Sequence, residues 1–323
     1  MVLYIVVDIG ASKIRIGLAT FEKVVEKIVL QTPRVGDEYT IANLIIDKIV
    51  EKYGIYIDRV RAISIATIGP IDIRKGAVVN TTNLPIKNFE LLEPIKSFFK
   101  KPVYVVNDAV ASVYGEKQFG SLLDYSNIVY ITMSTGIGGG VIVDNHLLIG
   151  KMGNAHEVGH IIVKYDDGLP CGCGGRGHWE SYAGGANIPK LAQYLASKTK
   201  YSSEAYFKAI KNELSPPDLF QYYRFGDYFA KSVVDEIIRV SIAGLATVTN
   251  LYDPEIIVIG GPVFLNNIDI LYKPLVDGLN EEIVTEKPVV KPSVLRDDAG
   301  LYGALAVAIN PPEELLKIQP IYP

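Results

Sequence analysis

The chain has 323 residues, 49% hydrophobic and 21% charged, which is the balance of a globular protein and argues against wholesale disorder. Lysine and arginine number 32 against 36 aspartates and glutamates, so no broad basic surface for nucleic acid or an anionic membrane is expected. The apolar start, Val2 to Val7, lacks a basic segment before it and is interrupted by Asp8. The apolar run Ala299 to Ile309 is too short to span a bilayer, and two cysteines cannot form a disulfide framework. The expectation is a soluble cytoplasmic protein, as monomer or homo-oligomer, that binds small molecules.

In chain order, the first feature is the stretch Leu3 to Gly10, a strand with Asp8 at its end and a turn of small residues, followed by a second strand, Ile14 to Ala19. Ala42 to Lys52 has helical spacing. Arg61 to Ala66 reads as a strand ending in the turn Ile68-Gly69-Pro70-Ile71-Asp72. Pro102 to Val106 is another strand, followed by a helix from Ala109 to Gln118 that Asp108 could cap. A second hairpin then resembles the first: Ile128 to Met133, the turn Ser134-Thr135-Gly136, and a strand through Gly140-Val141-Ile142-Val143. A Gly-rich segment, Gly168 to Gly185, precedes a mainly helical stretch from Ile188 to Ala246, broken at Pro216-Pro217. Glu255 to Ile259 is a strand entering Gly260-Gly261-Pro262, and Ala299 to Ile309 is a final apolar helix. Alternating strands and helices predict an α/β fold.

The paired hairpins overlay Asp8-Ile9-Gly10 on Ser134-Thr135-Gly136. Glycine turns expose backbone N–H groups that can cradle phosphate, so a nucleotide held between two similar halves is expected. Asp8 could hold a Mg²⁺ through water, because Mg²⁺ keeps several waters and takes few carboxylates. Arg15, between Ile14 and Ile16, is expected to face solvent. Four glycines among Gly136 to Gly140 are costly to order and make most sense where the backbone passes close to a ligand. Asn107-Asp108 follows a strand and opens a helix, where Asp108 could either cap the helix or face a substrate hydroxyl.

Glu157-Val158-Gly159-His160 and Cys171-Gly172-Cys173-Gly174-Gly175-Arg176-Gly177-His178-Trp179-Glu180 form the densest polar cluster. His160, Cys171, Cys173 and His178 could ligate zinc, with His146 and His156 as spare histidines nearby. Two buried thiols beside unrelated histidines, or a sterically tight Cys171–Cys173 disulfide, are the alternatives.

Taken together these segments resemble the ROK family of sugar kinases and repressors, within the actin-like ATPase superfamily. The resemblance is carried by Asp8 to Arg15, Thr82-Asn83-Leu84-Pro85, Val106 to Ala109, Ser134 to Gly140, Glu157 to His160, Cys171 to Gly177 with Glu180, and Gly260-Gly261. It implies a two-lobed actin-like ATPase (ribonuclease H-like) α/β fold with an interdomain cleft. A small lobe would run from 1 to 109 with about 303–323, and a large lobe from 110 to 302. It also implies an ATP-dependent kinase transferring phosphate to O6 of glucose or a similar hexose. The alternatives are an N-acetylhexosamine or fructose kinase, or a sugar-sensing regulator of the same family.

By the resemblance, Asp8, Gly10, Ala11, Ser12, Lys13, Ser134, Thr135, Gly136 and Gly138 would grip the phosphates of ATP, with Mg²⁺ near Asp8. Gly260 and Gly261 would sit by the adenosine. Asn83, Asn107, Asp108, Glu157, His160 and Glu180 would bind the sugar, with Asp108 as the base. The family's zinc motif has a third cysteine where this chain has His178.

Overall fold

A computed structural model describes residues 2–82 and 84–319. Thirteen strands run in chain order among the described residues: β1 (Leu3–Ile9), β2 (Lys13–Ala19), β3 (Val24–Gln31), β4 (Val60–Thr67), β5 (Ile71–Asp72), β6 (Ala77–Val78), β7 (Phe89–Glu90), β8 (Val103–Asn107), β9 (Ile128–Met133), β10 (Ile137–Val143), β11 (His146–Leu147), β12 (Ile256–Gly260) and β13 (Val289–Pro292). They form two five-stranded sheets, β3-β2-β1-β4-β8 and β11-β10-β9-β12-β13, and a small antiparallel sheet β5-β6-β7. The two large sheets share one plan: an antiparallel hairpin leads, and later strands are added on the other side of its first strand. This is the duplication that the two hairpins announced.

The chain separates into two compact units. One comprises Met1–Tyr130, Gly140–His156 and Ser293–Pro323; the other comprises Ile131–Gly139 and Glu157–Pro292.

In the first unit, β1 is buried along its whole length: it lies inside the sheet between β2 and β4, and the helix Ala299–Ile309 packs against it. A strand covered on both faces reads as a continuous apolar run, as Leu3 to Val7 does. β3, at the sheet edge, alternates half-buried and exposed residues and carries Glu26 and Lys27, charges that discourage edge pairing with another chain. The parallel strands end in register: Ile9 pairs with Thr67, and Thr67 with Asn107. Asp8 and Asp108 therefore lie along one edge of the sheet, two strand spacings or about 10 Å apart.

Two helices back this edge, Asp108–Phe119 and Ala299–Ile309. They touch at glycines: a Cβ on Gly303 would lie 2.2 Å from the Ala111 carbonyl oxygen, and one on Gly115 would lie 2.6 Å from the Gly303 nitrogen. Only side-chain-free positions allow backbones so close. The first helix is capped by Asn107, whose Oδ1 accepts from the Ala109 and Val110 N–H groups. Asp108 is thus the first helical residue and not the expected cap, although its own Oδ1 also accepts from Ala109 N–H.

In the second unit, the 25-residue helix Tyr228–Tyr252 provides the core surface. Trp179 is fully buried on it and donates its indole N–H to Ser241 Oγ at 3.0 Å. A Cβ on Gly244 would meet the Trp179 ring at 2.5 Å, so glycine makes the space for the indole. Pro216-Pro217 opens the helix Pro216–Arg224 at its first turn, where a missing N–H costs nothing. No helix among the described residues is long and apolar enough to cross a membrane.

Candidate active site

The first hairpin turn, Gly10 to Ser12, is fixed by its neighbours. Gly10 N–H donates to the Lys13 carbonyl at 2.9 Å, Thr32 Oγ1 donates to the Gly10 carbonyl at 2.8 Å, and Thr32 N–H donates to the Ser12 carbonyl. Ser12 and Lys13 are exposed and Gly10 and Ala11 half-buried, so the turn presents its backbone. Asp8 enters from β1 just before it. Burial pushes the Asp8 carboxyl up, and Arg15 opposes that shift. Arg15 does not simply face solvent: its Nη1 lies 2.8 Å from Asp8 Oδ2. β1 and β2 place the two residues directly opposite, and a buried carboxylate draws the guanidinium inward. Gly300 opens space beside this carboxylate, since a Cβ there would lie 2.6 Å from Asp8 Oδ1.

Asn107 is 9% exposed and Asp108 half-buried. The cap leaves Asn107 with its amide oxygen committed to the helix. Asn83 lies outside the described residues.

In the second unit, the turn Ser134-Thr135-Gly136 closes with Ser134 N–H donating to the Gly136 carbonyl at 2.9 Å. A cavity of about 520 Å³ opens beside it, lined by Ser134, Thr135, Gly185, Ala186, Pro217, Phe220, Arg224, Pro262, Val263, Asn266 and Asn267 among others. The apolar walls Pro217, Phe220 and Val263 suit an aromatic base, and the polar rim suits a ribose and phosphates. Gly261 adopts φ +84°, and a Cβ there would lie 2.3 Å from the Met133 carbonyl oxygen, so glycine is required to bring β12 past β9. Arg224 is held flat at the rim. Asp269 accepts from its Nε at 2.9 Å and its Nη2 at 2.7 Å, and Asn267 Oδ1 accepts from Nη2 at 3.1 Å.

Two glycines of the run also have close protein neighbours. Gly140 is demanded by packing, since a Cβ would lie 2.1 Å from the Ala109 carbonyl oxygen. At Gly136 the close neighbour is the Glu180 carboxylate, 2.2 Å from where a Cβ would sit, so a side chain there would have to displace it. Glu180 Oε2 accepts from the Ile137 N–H at 3.0 Å. Burial pushes the carboxyls of both Glu157 and Glu180 up, opposed at Glu180 by that N–H and at Glu157 by the nearby His160 ring.

His160, Cys171, Cys173 and His178 converge, with one ligand atom from each within 4.8 Å of every other. Both thiols are free, so the disulfide alternative falls. His160 Nδ1 lies 3.6 Å from Cys171 Sγ and 3.4 Å from His178 Nδ1, and Cys173 Sγ lies 3.3 Å from His178 Nδ1. Ideal Zn–N and Zn–S bonds at tetrahedral angles put such ligand atoms about 3.3–3.8 Å apart. The residues present fit a tetrahedral zinc. His160 Nε2 lies 3.9 Å from Glu157 Oε2, on the side of the ring away from the cluster. Burial works against the Cys171 thiolate, but the His160 ring and a backbone N–H outweigh it and bring the thiol down to about 5. The spare histidines stand apart: His146 is exposed on β11, and His156 is bonded through Nε2 to the Leu148 carbonyl.

The ROK family profile matches residues 4–310. The chain belongs to the ROK family. It is 40% identical over 256 residues to the glucokinase of Pyrobaculum calidifontis, covering 79% of this chain and 81% of that one. It is 37% identical to the glucokinase of Aeropyrum pernix, covering 96% and 98%. The crystal structure of a Streptomyces griseus ROK glucokinase in complex with glucose and AMPPNP superposes with a TM-score of 0.75 at 28% identity, covering 95% of this chain and 99% of that one. The fold is the actin-like ATPase fold of the ROK kinases.

Several residues of this ROK site carry no motif signal. Gly185, Ala186, Phe220, Arg224, Asn266 and Asn267 line the nucleotide-sized cavity but are scattered between helices. Gly300 was legible only as a glycine near a helix start. Arg15 could have been found from its register opposite Asp8.

Proposed function

We propose that the chain is an ATP-dependent hexokinase with glucose as its principal acceptor. The observation that carries this is the joining of two functions in one place: the Glu180 carboxylate, suited to a sugar hydroxyl, is bonded to the turn that borders the nucleotide-sized cavity. The two glucokinase relatives, similar over most of their length, support the same reading.

In this reading the adenine and ribose occupy the cavity under Gly260-Gly261, and the phosphates run along Ser134 to Gly136 and Gly138. Asp8, with Gly10 to Lys13, faces the terminal phosphates. Asp8 would hold a Mg²⁺ through water, and that ion would neutralise charge on the phosphates. Asn83, Asn107, Asp108, Glu157, His160 and Glu180 are the sugar ligands. Asp108 accepts the O6 proton as O6 bonds to the γ-phosphorus and the bond to the bridging oxygen of ADP breaks. Carboxylates and amides suit adjacent hydroxyls, and such a site rejects analogues that leave its polar groups unpaired. His160, Cys171, Cys173 and His178 would hold a zinc ion, which would order the loop that carries Glu157 and Glu180.

A coupled ADP-release assay across a panel of hexoses tests this. Glucose-dependent ADP release, lost by orders of magnitude in Asp108→Ala while glucose still binds, is the expected result. Preference for fructose or an N-acetylhexosamine would correct the acceptor. No hexose-dependent turnover with any nucleotide would overturn the kinase reading and favour a sugar-binding regulator.

A further inference from the structure

Glu180 does more than face the pocket. Its helix, Glu180–Ala183, and the turn after it are sewn to the phosphate turn at consecutive points. Ile137 N–H donates to Glu180 Oε2 at 3.0 Å, Gly185 N–H donates to the Ser134 carbonyl at 2.7 Å, and Ala186 N–H donates to the Thr135 carbonyl at 3.0 Å. The Glu180 carbonyl in turn accepts from Gly184 N–H at 3.0 Å and from Asn187 Nδ2 at 3.1 Å, which fixes the turn that makes the other contacts. The carboxylate also fills the space beside Gly136, where a Cβ would lie only 2.2 Å from Oε2 and 3.7 Å from Oε1. One carboxylate oxygen is therefore taken by the Ile137 backbone. Among the described residues the other makes no hydrogen bond with the protein.

We propose that Glu180 is a positioning residue for the nucleotide, locking the Ser134–Gly136 turn in its phosphate-binding shape through Oε2 while Oε1 is left for a sugar hydroxyl. This rests on the hexokinase reading. It adds that a group expected to serve the acceptor also sets affinity for the donor. A hydrogen bond to an ionised acceptor is among the stronger ones and holds a turn whose glycine would otherwise leave it loose. A hydroxyl on Oε1 would further restrict the carboxylate's rotation, so sugar and nucleotide should strengthen each other's binding by the same factor.

The test measures ADP binding by calorimetry with no sugar present, a readout that a purely sugar-binding role would leave untouched. Glu180→Ala should weaken ADP binding about tenfold, the scale of one lost charge-assisted hydrogen bond. Glu180→Gln keeps an oxygen for Ile137 N–H, so its ADP affinity should stay within about twofold of wild type while its KM for glucose rises. Gly136→Ala should also weaken ADP binding, by driving a methyl into the carboxylate. Combining it with Glu180→Ala should add little, because the clash is gone. Circular dichroism of each variant checks that the fold is retained. Glu180→Asp, whose side chain is one methylene too short to reach the Ile137 N–H, carries the test if Glu180→Ala unfolds and should also weaken ADP binding severalfold.

Wild-type ADP affinity in Glu180→Ala, with only the glucose KM raised, would overturn the inference alone. Wild-type protein that binds no ADP and phosphorylates no hexose would overturn the hexokinase reading with it.

Discussion

Arg15 and Asp8 are direct register partners across β1 and β2, and Arg15 Nη1 stands 2.8 Å from Asp8 Oδ2. Both side chains are largely withdrawn from water, with 22% and 10% of their surface exposed. Removing one member of such a pair leaves the other charge buried and uncompensated. Arg15→Met, which keeps the apolar stem, should destabilise the protein by about 2 kcal/mol. Adding Asp8→Asn should recover most of that loss, because the orphaned charge is removed as well. Urea unfolding of the two single variants and the double variant measures the coupling. Simple additivity would show that the pair contributes nothing of its own.

Gly261 holds φ +84° with the Met133 carbonyl where a methyl would go. Gly261→Ala must therefore both strain its backbone and push β12 from β9, with a cost of about 2–4 kcal/mol. Because Pro262 and Val263 follow directly and line the nucleotide cavity, ADP affinity should fall with stability. Thermal unfolding with and without ADP separates the effects. A variant as stable as wild type would mean that the contact yields easily.

Much of this was legible in the sequence, and what was not has physical reasons. The helix at Ala299–Ile309, the buried strand entering Gly260 and the two hairpins follow from apolar runs and turn residues, which are local signals. The four-ligand cluster was legible because its members are close in sequence and chemically unusual. The reasons for single glycines were not. Gly140 is small because the Ala109 backbone passes beside it, and Gly136 and Gly300 lie against the carboxylates of Glu180 and Asp8, all groups remote in sequence. The cap at Asn107 was misplaced by one residue because two adjacent polar side chains both suit a helix start, and only the dihedrals decide between them. Nothing local marks Arg224, whose place at the cavity rim depends on Asp269 from a later helix.

The cluster of His160, Cys171, Cys173 and His178 should carry about one zinc per chain in protein purified without chelator, as a closed four-ligand site does. Cys171→Ser should lose the metal, and thermal stability should drop because metal binding is coupled to folding of the loop. His178→Cys should keep it, since thiolate and imidazole both ligate zinc. Elemental analysis of the three proteins decides it. Full zinc content in Cys171→Ser would remove these four residues as the ligand set.

Glu116 is 1% exposed, and its carboxylate accepts from Ser293 Oγ and from Leu295 N–H at 3.3 Å. Burial pushes its carboxyl above the usual 4.5, and those hydrogen bonds oppose the shift without cancelling it. A carboxyl raised in the folded state holds its proton longer there than in the unfolded chain. Between the unfolded value and the raised folded one, the native state binds more protons, so stability falls as pH rises through that window. Glu116→Gln preserves an acceptor for both donors but cannot ionise. Relative to wild type it should be no more stable near pH 4, and its advantage in Tm should grow as pH rises from 4.5 toward neutrality. All other titrating groups are common to the two proteins and cancel in the difference. Melting curves that keep a constant separation from pH 4 to pH 8 would show that Glu116 does not titrate differently on folding.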